Sequence, residues 1–435
     1  MHEYLKYKRH LDDLITRILK QPGNLNDFDS ALSLALNGQP SDELRKAVAV
    51  NKQREAGAFF THQELASIAL TPLRDSLTKD SVIADISCGT GDLLFPLISD
   101  NYKKSSVSEL LLNWNRRLIG HDIHPEFIAV AKRRLLLSAI QQAQRIDISN
   151  DIKIDNFFPL LSVNDGLQQH NTIQNATHIV LNPPFTRVQS PLNCSWANGK
   201  VNLAAIFMDV CVSNAKPQTR IVAILPDVLR SGSLYKKWRR RIESRTLEVR
   251  SELYGQFDKW ADVHVFVLEL VVNNDVDVRD NYRWNQICEI PSRRQLKDHF
   301  EVRVGGVVDY RDPHEGNLYP FVTPADLPAW GTLTNIDTNR KFSGRVFSPP
   351  FVAVRRTSRQ EDKNRAVPTI VDCDAPVAVE NHLLVLLPFS KSIEDCRKLV
   401  KNLQDQRTND WLNQIIRCRH LTVSALKQLP WWQEP

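Results

Sequence analysis

The sequence predicts an α/β protein with a doubly wound, mostly parallel sheet, an N-terminal helical segment before it and a mixed C-terminal domain after it. Short apolar runs of strand-like composition alternate with helical patterns between residues 82 and 272. Such alternation is typical of a parallel sheet with helices on both faces. Residues before this region show helical spacing alone, and residues after it no longer alternate between strand-like and helical patterns. The length of 435 residues allows about two or three domains.

Three regions follow in order along the chain. Residues 1–55 are predicted to be helical because apolar side chains recur at helical spacing, at Tyr4, Leu11, Leu14, Ile15 and Ile18. Residues 56–275 should contain the sheet, with strands at VIADI (82–86), LIGHD (118–122), HIVL (178–181), RIVAIL (220–225) and VHVFVLELVV (263–272). Residues 276–435 are rich in Arg, Pro and Trp and should form a separate domain. Because ligands of open parallel sheets bind beyond the carboxyl ends of the strands, the loops after these strands are the candidate functional regions.

Composition narrows the function classes. The chain is 42% hydrophobic and 24% charged, which is ordinary for a soluble globular protein. Its seven cysteines form no CxxC pair or Cys/His cluster, so we expect neither a zinc site nor a disulfide framework, and a reducing cytoplasm fits best. No apolar run is long enough to span a membrane. The net charge of +6 permits a nucleic-acid partner without requiring one.

The loop after the first predicted strand reads ADISCGTGDLL (84–94). Asp85 ends the strand, and Gly89 and Gly91 allow a tight turn and close approach of a ligand. A dinucleotide fingerprint would have a third glycine where Leu94 stands and an acidic residue about 20 positions on, but Asp122 lies 31 residues past Gly91. The spacing favours a nucleoside with two ribose hydroxyls and no pyrophosphate. The alternative is a pair of turn glycines and a surface aspartate.

A second candidate is GAFFTHQE (57–64), before the first strand. Thr61 and Glu64 have the spacing of a capping box, which is a purely structural explanation. The functional alternative is that Phe60 and Thr61 close over the amino-acid end of the ligand.

The third candidate is HIVLNPPF (178–185), a strand that ends in a rigid turn. The Asn182 side-chain oxygen and the Pro183 carbonyl can accept hydrogen bonds from the two N–H groups of an exocyclic amino group. Such acceptors draw the nitrogen toward tetrahedral geometry and return electron density to its lone pair. Pro183 and Pro184 fix the turn because they restrict φ, and Phe185 offers a ring for base stacking. The alternative is a plain structural turn.

The order of these motifs resembles the gamma class of adenine DNA methyltransferases, TaqI-like enzymes that use S-adenosylmethionine. The resemblance covers residues 56 to about 275, through GAFFT, DISCGTGDLL, GHDIHP, NPPF, RIVAILPD and FDKWADVHVFVLEL. It implies a Rossmann-like class I methyltransferase domain over 56–275 and a DNA target-recognition domain over 276–435. No metal is implied.

The resemblance also assigns roles by position. Phe60 and Thr61 would contact the methionine end of the cofactor, and its centre would be lined by Asp85, Ser87, Cys88, Gly89 and Gly91. Asp122 and Ile123 would hold the ribose and adenine side. Asn156 and Phe157 would lie against the adenine, although the family often has Asp where Asn156 stands. The target base would be activated by Asn182, Pro183, Pro184 and Phe185 and stacked between Phe185 and Phe257.

Basic side chains indicate where DNA would bind. The run 230–245 carries Arg230, Lys236, Lys237, Arg239, Arg240, Arg241 and Arg245 against a single acid, Glu243. It follows a predicted strand end, so we expect contacts to DNA phosphates, with a solvated helix face as the alternative. Arg355, Arg356 and Arg359 follow a strand-like run. Arg355 and Arg356 are further candidates for contacts to the DNA backbone, and arginines in this stretch could also read guanine edges, the alternative being protection of a sheet edge.

The sequence therefore predicts site-specific methylation of the 6-amino group of adenine in double-stranded DNA, within a restriction-modification or phage-defence system. A separate restriction endonuclease or other defence subunit is an expected partner, and no membrane association is expected. Two alternatives stay open: a DNA-binding subunit that keeps the methyltransferase fold without turnover, and an amino-methyltransferase that acts on RNA or protein.

Overall fold

The computed structural model describes residues 4–47, 60–97, 105–258, 263–273, 284, 294–358, 362–416 and 420–433. Its contacts divide the chain into two units. The first comprises Met1–Arg230 with Leu234–Trp284, and the second comprises Ser231–Ser233 with Asn285–Pro435. Each buried hydrophobic cluster is built from residues of one unit only. Across the described ranges, no helix is both long and apolar enough to cross a membrane.

The N-terminal segment is helical, as predicted. It contains α1 (Tyr4–Lys20), α2 (Asp29–Leu36) and α3 (Gln39–Ala47). The buried side of α1 consists of Tyr4, Tyr7, Leu11, Leu14, Ile15, Ile18 and Leu19. These side chains join the same hydrophobic cluster as the sheet and its helices, so the segment belongs to the first unit.

The first unit is organised around a seven-stranded sheet with the order β3-β2-β1-β4-β7-β9-β8. Its strands are β1 (Ile83–Asp85), β2 (Leu118–Asp122), β3 (Leu161–Val163), β4 (His178–Leu181), β7 (Arg220–Pro226), β8 (Thr246–Gln256) and β9 (His264–Val272). Strands β3, β2, β1, β4 and β7 are parallel, whereas β9 is antiparallel to β7 and to β8. The strand order reverses between β1 and β4, the position at which open parallel sheets bind ligands.

Helices cover both faces of this sheet, which confirms the doubly wound architecture. They are α4 (Gln63–Arg74), α5 (Val107–Arg117), α6 (Pro125–Gln142), α7 (His170–Asn175), α8 (Leu203–Asn214), α9 (Asp227–Ser231) and α10 (Lys236–Glu243). Alternate residues of a strand face opposite sides. In β4, Val180 joins the cluster that contains α6, while Ile179 and Leu181 join the cluster that contains α8. A hairpin of β5 (Arg187–Gln189) and β6 (Lys200–Asn202) lies outside the sheet.

One buried cation joins the N-terminal helices to the loop after β1. Arg134, on α6, has no exposed surface and donates to the carbonyl oxygens of Ala35 (2.9 Å), Leu36 (2.9 Å) and Thr90 (2.7 Å). It also forms an ion pair with Asp92 at 2.8 Å. Because a guanidinium has five donors in a fixed plane, it can satisfy the last carbonyls of α2 and the glycine loop together.

The second unit is a mixed domain, as predicted. Its strands are β10 (Phe300–Val304), β11 (Asn317–Val322), β12 (Thr332–Leu333), β13 (Asn339–Phe342), β14 (Phe351–Arg355), β15 (Pro368–Val371), β16 (Ala378–Val379) and β17 (Leu383–Pro388). They form a five-stranded sheet, β10-β17-β14-β15-β12, and a three-stranded sheet, β13-β11-β16. The helices are α11 (Ile393–Gln404), α12 (Gln406–Ile415) and α13 (Val423–Gln428).

Candidate active site

A cavity of about 310 Å³ lies at the carboxyl ends of β1 to β4. The loops after these four strands all contribute to its wall, together with Phe60, Thr61, Leu203 and Phe207. Among the predicted cofactor residues, those that line it are Phe60, Thr61, Asp85, Ser87, Cys88, Gly89, Asp122 and Ile123. Asn182 and Pro184 of the predicted target-base turn line the same cavity. Tertiary structure therefore brings these cofactor residues together with Asn182 and Pro184, whereas Pro183 and Phe185 do not line the cavity.

The glycine loop after β1 requires Gly89 for two reasons. Its φ is +50°, and a Cβ there would lie 3.0 Å from the Phe60 ring. The Gly89 N–H donates to one carboxylate oxygen of Asp122 at 3.0 Å, and the His124 N–H donates to the other at 2.9 Å. Asp122 thus couples the loop after β1 to the loop after β2. Gly91, with φ +84°, shapes the same loop but does not line the cavity.

The cavity is acidic. Among the described residues, its lining includes Asp85, Asp92, Asp122 and Asp165 and no Lys or Arg. Burial raises the pKa of Asp85 to about 7, although the N–H and hydroxyl of Ser87 hydrogen-bond to its carboxylate at 2.9 and 3.3 Å. Burial also raises the pKa of Asp122. Carboxylates held in a poorly solvated wall favour a cationic ligand and disfavour a phosphate.

The loop after β3 differs from the prediction that Asn156 and Phe157 lie against the cofactor's adenine. Asn156 is exposed and Phe157 is half-buried against the hydrophobic core, and neither lines the cavity. The residues that follow β3 and do line it are Asn164, Asp165, Gly166 and Leu167. At Gly166 a Cβ would lie 1.8 Å from the Ile86 carbonyl oxygen, so only glycine fits. The sequence signal for this loop was weak because β3 is an edge strand in which only Leu161 is fully buried, so it shows no apolar run.

The turn at 182–185 begins directly after β4. The Asn182 side-chain Nδ2 donates to Thr61 Oγ1 at 2.9 Å, which fixes the orientation of the amide. Asn202 Nδ2 donates to the Phe185 carbonyl at 2.9 Å, and the Leu203 N–H donates to the Thr186 carbonyl at 2.8 Å. Asn202 is also the N-cap of α8. The start of α8 therefore holds the far end of the turn.

The capping-box explanation for Thr61 and Glu64 is wrong. The N-cap of α4 is His62, whose Nδ1 accepts from the Leu65 N–H at 3.3 Å. Glu64 is exposed, whereas Thr61 is buried and uses its hydroxyl toward Asn182. His62 Nε2 lies 3.0 Å from the Phe257 carbonyl oxygen. Sequence analysis did not single out His62.

The two predicted stacking rings contact each other. Phe185 and Phe257 meet edge to face, with centroids 5.7 Å apart and an interplanar angle of 90°. Phe257 has no exposed surface, while Phe185 is half-buried. Perpendicular rings do not present parallel faces to a base. In this arrangement a base cannot stack between the two rings. Of the two, only Phe185 has accessible surface, and the buried Phe257 ring packs against it.

The predicted DNA-contacting cations divide into three groups. Lys236, Lys237 and Arg240 on α10 are exposed. Arg230 is 2% exposed and forms an ion pair with buried Asp227 at 2.7 Å, so its assignment as a phosphate contact is wrong. Arg239 is half-buried, donates to the Leu229 carbonyl and has its pKa lowered to about 10 by burial.

The two candidate DNA-contacting arginines of the second unit that the structure describes donate hydrogen bonds to main-chain carbonyls. Arg355 donates to the carbonyls of Pro324 and Leu327 at 3.1 and 2.9 Å. Arg356 donates to the Asn381 carbonyl at 3.4 Å, and both side chains are half-buried. Arg359, Cys288 and Cys418 lie outside the described residues. In the described part of the chain, no group of three His, Cys, Asp or Glu side chains is arranged to hold a metal ion.

A protein-family model matches the part of the chain that carries these motifs. Residues 43–247, slightly less than half of the chain, match the family model described as N-6 DNA Methylase. This segment contains the glycine loop, Asp122 and the 182–185 turn. It is therefore similar to N-6 DNA methylases. No curated protein matches the chain significantly in sequence.

Solved structures with a similar fold include three restriction-modification proteins. The type IIG restriction endonuclease BpuSI is 14% identical over 92% of this chain and 60% of its own, with a TM-score of 0.43. The type IIL enzyme MmeI, solved with DNA, is 12% identical over 88% of this chain and 66% of its own, with a TM-score of 0.45. The M protein of the type I enzyme EcoKI is 17% identical over 54% of this chain and 49% of its own, with a TM-score of 0.39. The chain thus spans about half to two thirds of their lengths.

Proposed function

We propose that this protein transfers the methyl group of S-adenosylmethionine to the 6-amino group of adenine at a specific sequence in double-stranded DNA. One observation carries the proposal: Asn182 and Pro184 of the 182–185 turn line the same cavity as the glycine loop and Asp122. A turn suited to activating an amino nitrogen and a site suited to a nucleoside thus share one space. The match of residues 43–247 to the N-6 DNA Methylase model supports the same chemistry.

The acidic side chains of the cavity suit S-adenosylmethionine. That ligand carries a sulfonium and an ammonium group but no phosphate. This suits a wall whose described residues include four aspartates, of which only Asp92 is paired with Arg134, and no Lys or Arg. In this proposal, Asp85 would face the cationic amino-acid end, and Asp122 would accept hydrogen bonds from the ribose hydroxyls. Ile123 is 62% exposed and lines the cavity, so it offers apolar contact to the adenine ring. Asn164 and Asp165 replace Asn156 in our assignment of the adenine side.

The chain's own residues would then prepare the target nitrogen. When bound, S-adenosylmethionine supplies an electrophilic methyl group. The Asn182 Oδ1 and the Pro183 carbonyl accept from the two N–H groups of the adenine amino group, and Phe185 stacks on the base. Thr61 holds the Asn182 amide so that Nδ2 is engaged and Oδ1 serves as the acceptor. The amino nitrogen is neutral, so its attack needs no prior deprotonation by a general base. The nitrogen–methyl bond would form as the methyl–sulfur bond breaks to leave a neutral thioether, and the extra proton on the nitrogen would then leave to solvent.

Methyl-transfer assays with the purified full chain and radiolabelled S-adenosylmethionine test this proposal. Separate reactions contain DNA, RNA or protein, and mass spectrometry identifies the modified nucleoside. We expect N6-methyladenine in DNA alone. Asn182→Ala should lower turnover about a hundredfold with unchanged cofactor affinity, because one preorganised acceptor is lost.

Asn175→Ala is the matched control, since Asn175 is exposed at the end of α7. Its activity should equal that of the wild type. Methylation of RNA or protein instead of DNA would support the alternative substrates, and cofactor binding without turnover would support a DNA-binding subunit. Sequencing methylated adenine in cells with and without the protein would identify the target sequence.

A further inference from the structure

His62 makes three polar contacts that connect separate parts of the candidate active site. Its Nδ1 accepts from the Leu65 N–H at 3.3 Å, and its Nε2 lies 3.0 Å from the Phe257 carbonyl oxygen. The Tyr254 hydroxyl is farther from Nε2, at 3.4 Å. Phe257 lies 195 residues away in sequence, at the end of the β8 region.

These partners determine which nitrogen carries the proton. A backbone N–H can only donate, so Nδ1 must be unprotonated. A carbonyl oxygen can only accept, so Nε2 must carry the hydrogen. The neutral Nε2–H form therefore satisfies both contacts, and the imidazole acts as a bridge from the start of α4 to the Phe257 main chain.

Phe257, whose carbonyl His62 contacts, also packs its ring against Phe185 of the predicted target-base site. The buried Phe257 ring meets the Phe185 ring edge to face at 5.7 Å. Thr61, the residue before His62, holds the Asn182 side chain. Two adjacent residues thus restrain both the proposed acceptor of the amino group and the support behind the proposed stacking ring.

We propose that His62 is a positioning residue for methyl transfer: it fixes the Phe257 main chain and, through the Phe257 ring, the orientation of Phe185. This inference rests on the proposed function, because it assigns His62 to the target-base side of that same site. His62 itself does not contact the reacting atoms. Its loss should therefore impair presentation of the base and spare cofactor binding.

Two substitutions separate this role from helix capping. His62→Asn keeps an excellent N-cap residue but is too short to reach the Phe257 carbonyl. His62→Gln keeps an N–H donor at about the reach of Nε2 and weakens the cap. We expect H62N to lower the methylation rate about tenfold, as for loss of one positioning hydrogen bond, with unchanged cofactor affinity and thermal stability close to wild type. H62Q should stay within about threefold of the wild type.

A second readout follows the base itself. Once the target sequence is known, DNA with 2-aminopurine at the target adenine should brighten less with H62N than with H62Q or wild type, because the flipped base is held less well. Glu64→Gln is the control, since Glu64 is exposed on the same turn of α4. Wild-type activity in H62N, or equal losses in H62N and H62Q, would overturn the positioning role.

The tautomer can be tested without any activity. Nitrogen NMR of protein labelled with ¹⁵N-histidine, with H62N used to assign the signal, should show His62 protonated at Nε2 and unprotonated at Nδ1. The opposite tautomer would overturn the inference even if DNA is methylated. If the wild type binds cofactor but methylates no DNA, the proposed function fails, and the NMR result still decides whether His62 holds the Phe257 carbonyl.

Discussion

Asp85 shows how burial sets the chemistry of a single residue. It ends β1 with only 2% of its surface exposed, and burial raises its pKa from 3.8 to about 7. Burial removes water from the carboxylate and so disfavours its charge, whereas a nearby cation would favour the ionised form. Its protonation state should therefore control cofactor binding in the physiological range.

We expect the affinity for S-adenosylmethionine to rise by up to about tenfold between pH 6 and pH 8, as Asp85 ionises. Binding near pH 7 should release protons, because the bound cation favours the carboxylate. Titration calorimetry in two buffers of different ionisation enthalpy measures this release. Asp85→Asn should bind more weakly, without the pH dependence or the proton release, and a pH profile shared with the wild type would rule out this assignment.

Asp85 should also make the stability of the fold depend on pH. Without cofactor, its contribution to the free energy of unfolding decreases as the pH rises, whereas cofactor affinity should increase. Because the folded-state pKa exceeds the ordinary value of 3.8, the unfolded chain loses this proton first as the pH rises. The stabilisation from the neutral acid is complete below about pH 3.8 and is lost as the pH approaches 7. In denaturant titrations without cofactor, Asp85→Asn should remove this part of the pH dependence.

At the level of elements, α10 presents charge on one side and apolar surface on the other. Trp238 and Ile242 are buried, and the Trp238 Nε1–H donates to the Ala205 carbonyl at 3.0 Å. This packing holds the helix so that Lys236, Lys237 and Arg240 stay in solvent. Arg230 precedes the helix and is already neutralised by Asp227. The exposed three, and not Arg230, are the candidates for phosphate contact.

The combined substitution of Lys236, Lys237 and Arg240 by Ala should weaken DNA binding and reduce the slope of log affinity against log salt by about two to three. Fluorescence anisotropy with duplex DNA at several salt concentrations measures both quantities. The control replaces three exposed cations of other helices, Arg9, Lys20 and Arg116, and removes the same charge. Equal losses in both variants would indicate a general charge effect without a defined contact surface.

At the level of the whole molecule, the two units have separate hydrophobic cores. Among the described residues, the clusters that contain α1, α6 and α8 include none beyond Trp284, and those around β14 and β17 begin at Leu296. Since stability comes mainly from burial within each core, the cofactor site should not depend on the second unit.

A chain that ends at residue 284 should bind S-adenosylmethionine with near wild-type affinity and lose discrimination between target and random DNA. Calorimetry and competition binding measure the two properties. Retained sequence discrimination would mean that recognition resides in the first unit. Loss of folding, seen by circular dichroism, would contradict the independence of its core.

Local sequence patterns determined much of the architecture. Strands β1, β2, β4, β7 and β9 were predictable because each is an apolar run bounded by turn or helix signals. The N-terminal helices followed from their apolar spacing. The 182–185 turn and the glycine loop were recognisable because proline and glycine restrict or permit backbone angles in themselves.

Tertiary structure decided the rest. Strand β3 is a partly exposed edge strand without an apolar run, so Asn164 and Asp165 emerged as cavity residues only from the fold. Arg230 and Lys236 belong to one basic run. Arg230 is nevertheless buried in an ion pair with Asp227, whereas Lys236 is exposed. Thr61 reaches Asn182 across 121 residues, and His62 reaches Phe257 across 195. Local pattern encodes backbone preference and which face is apolar, whereas burial and long-range hydrogen bonds depend on which segments pack together.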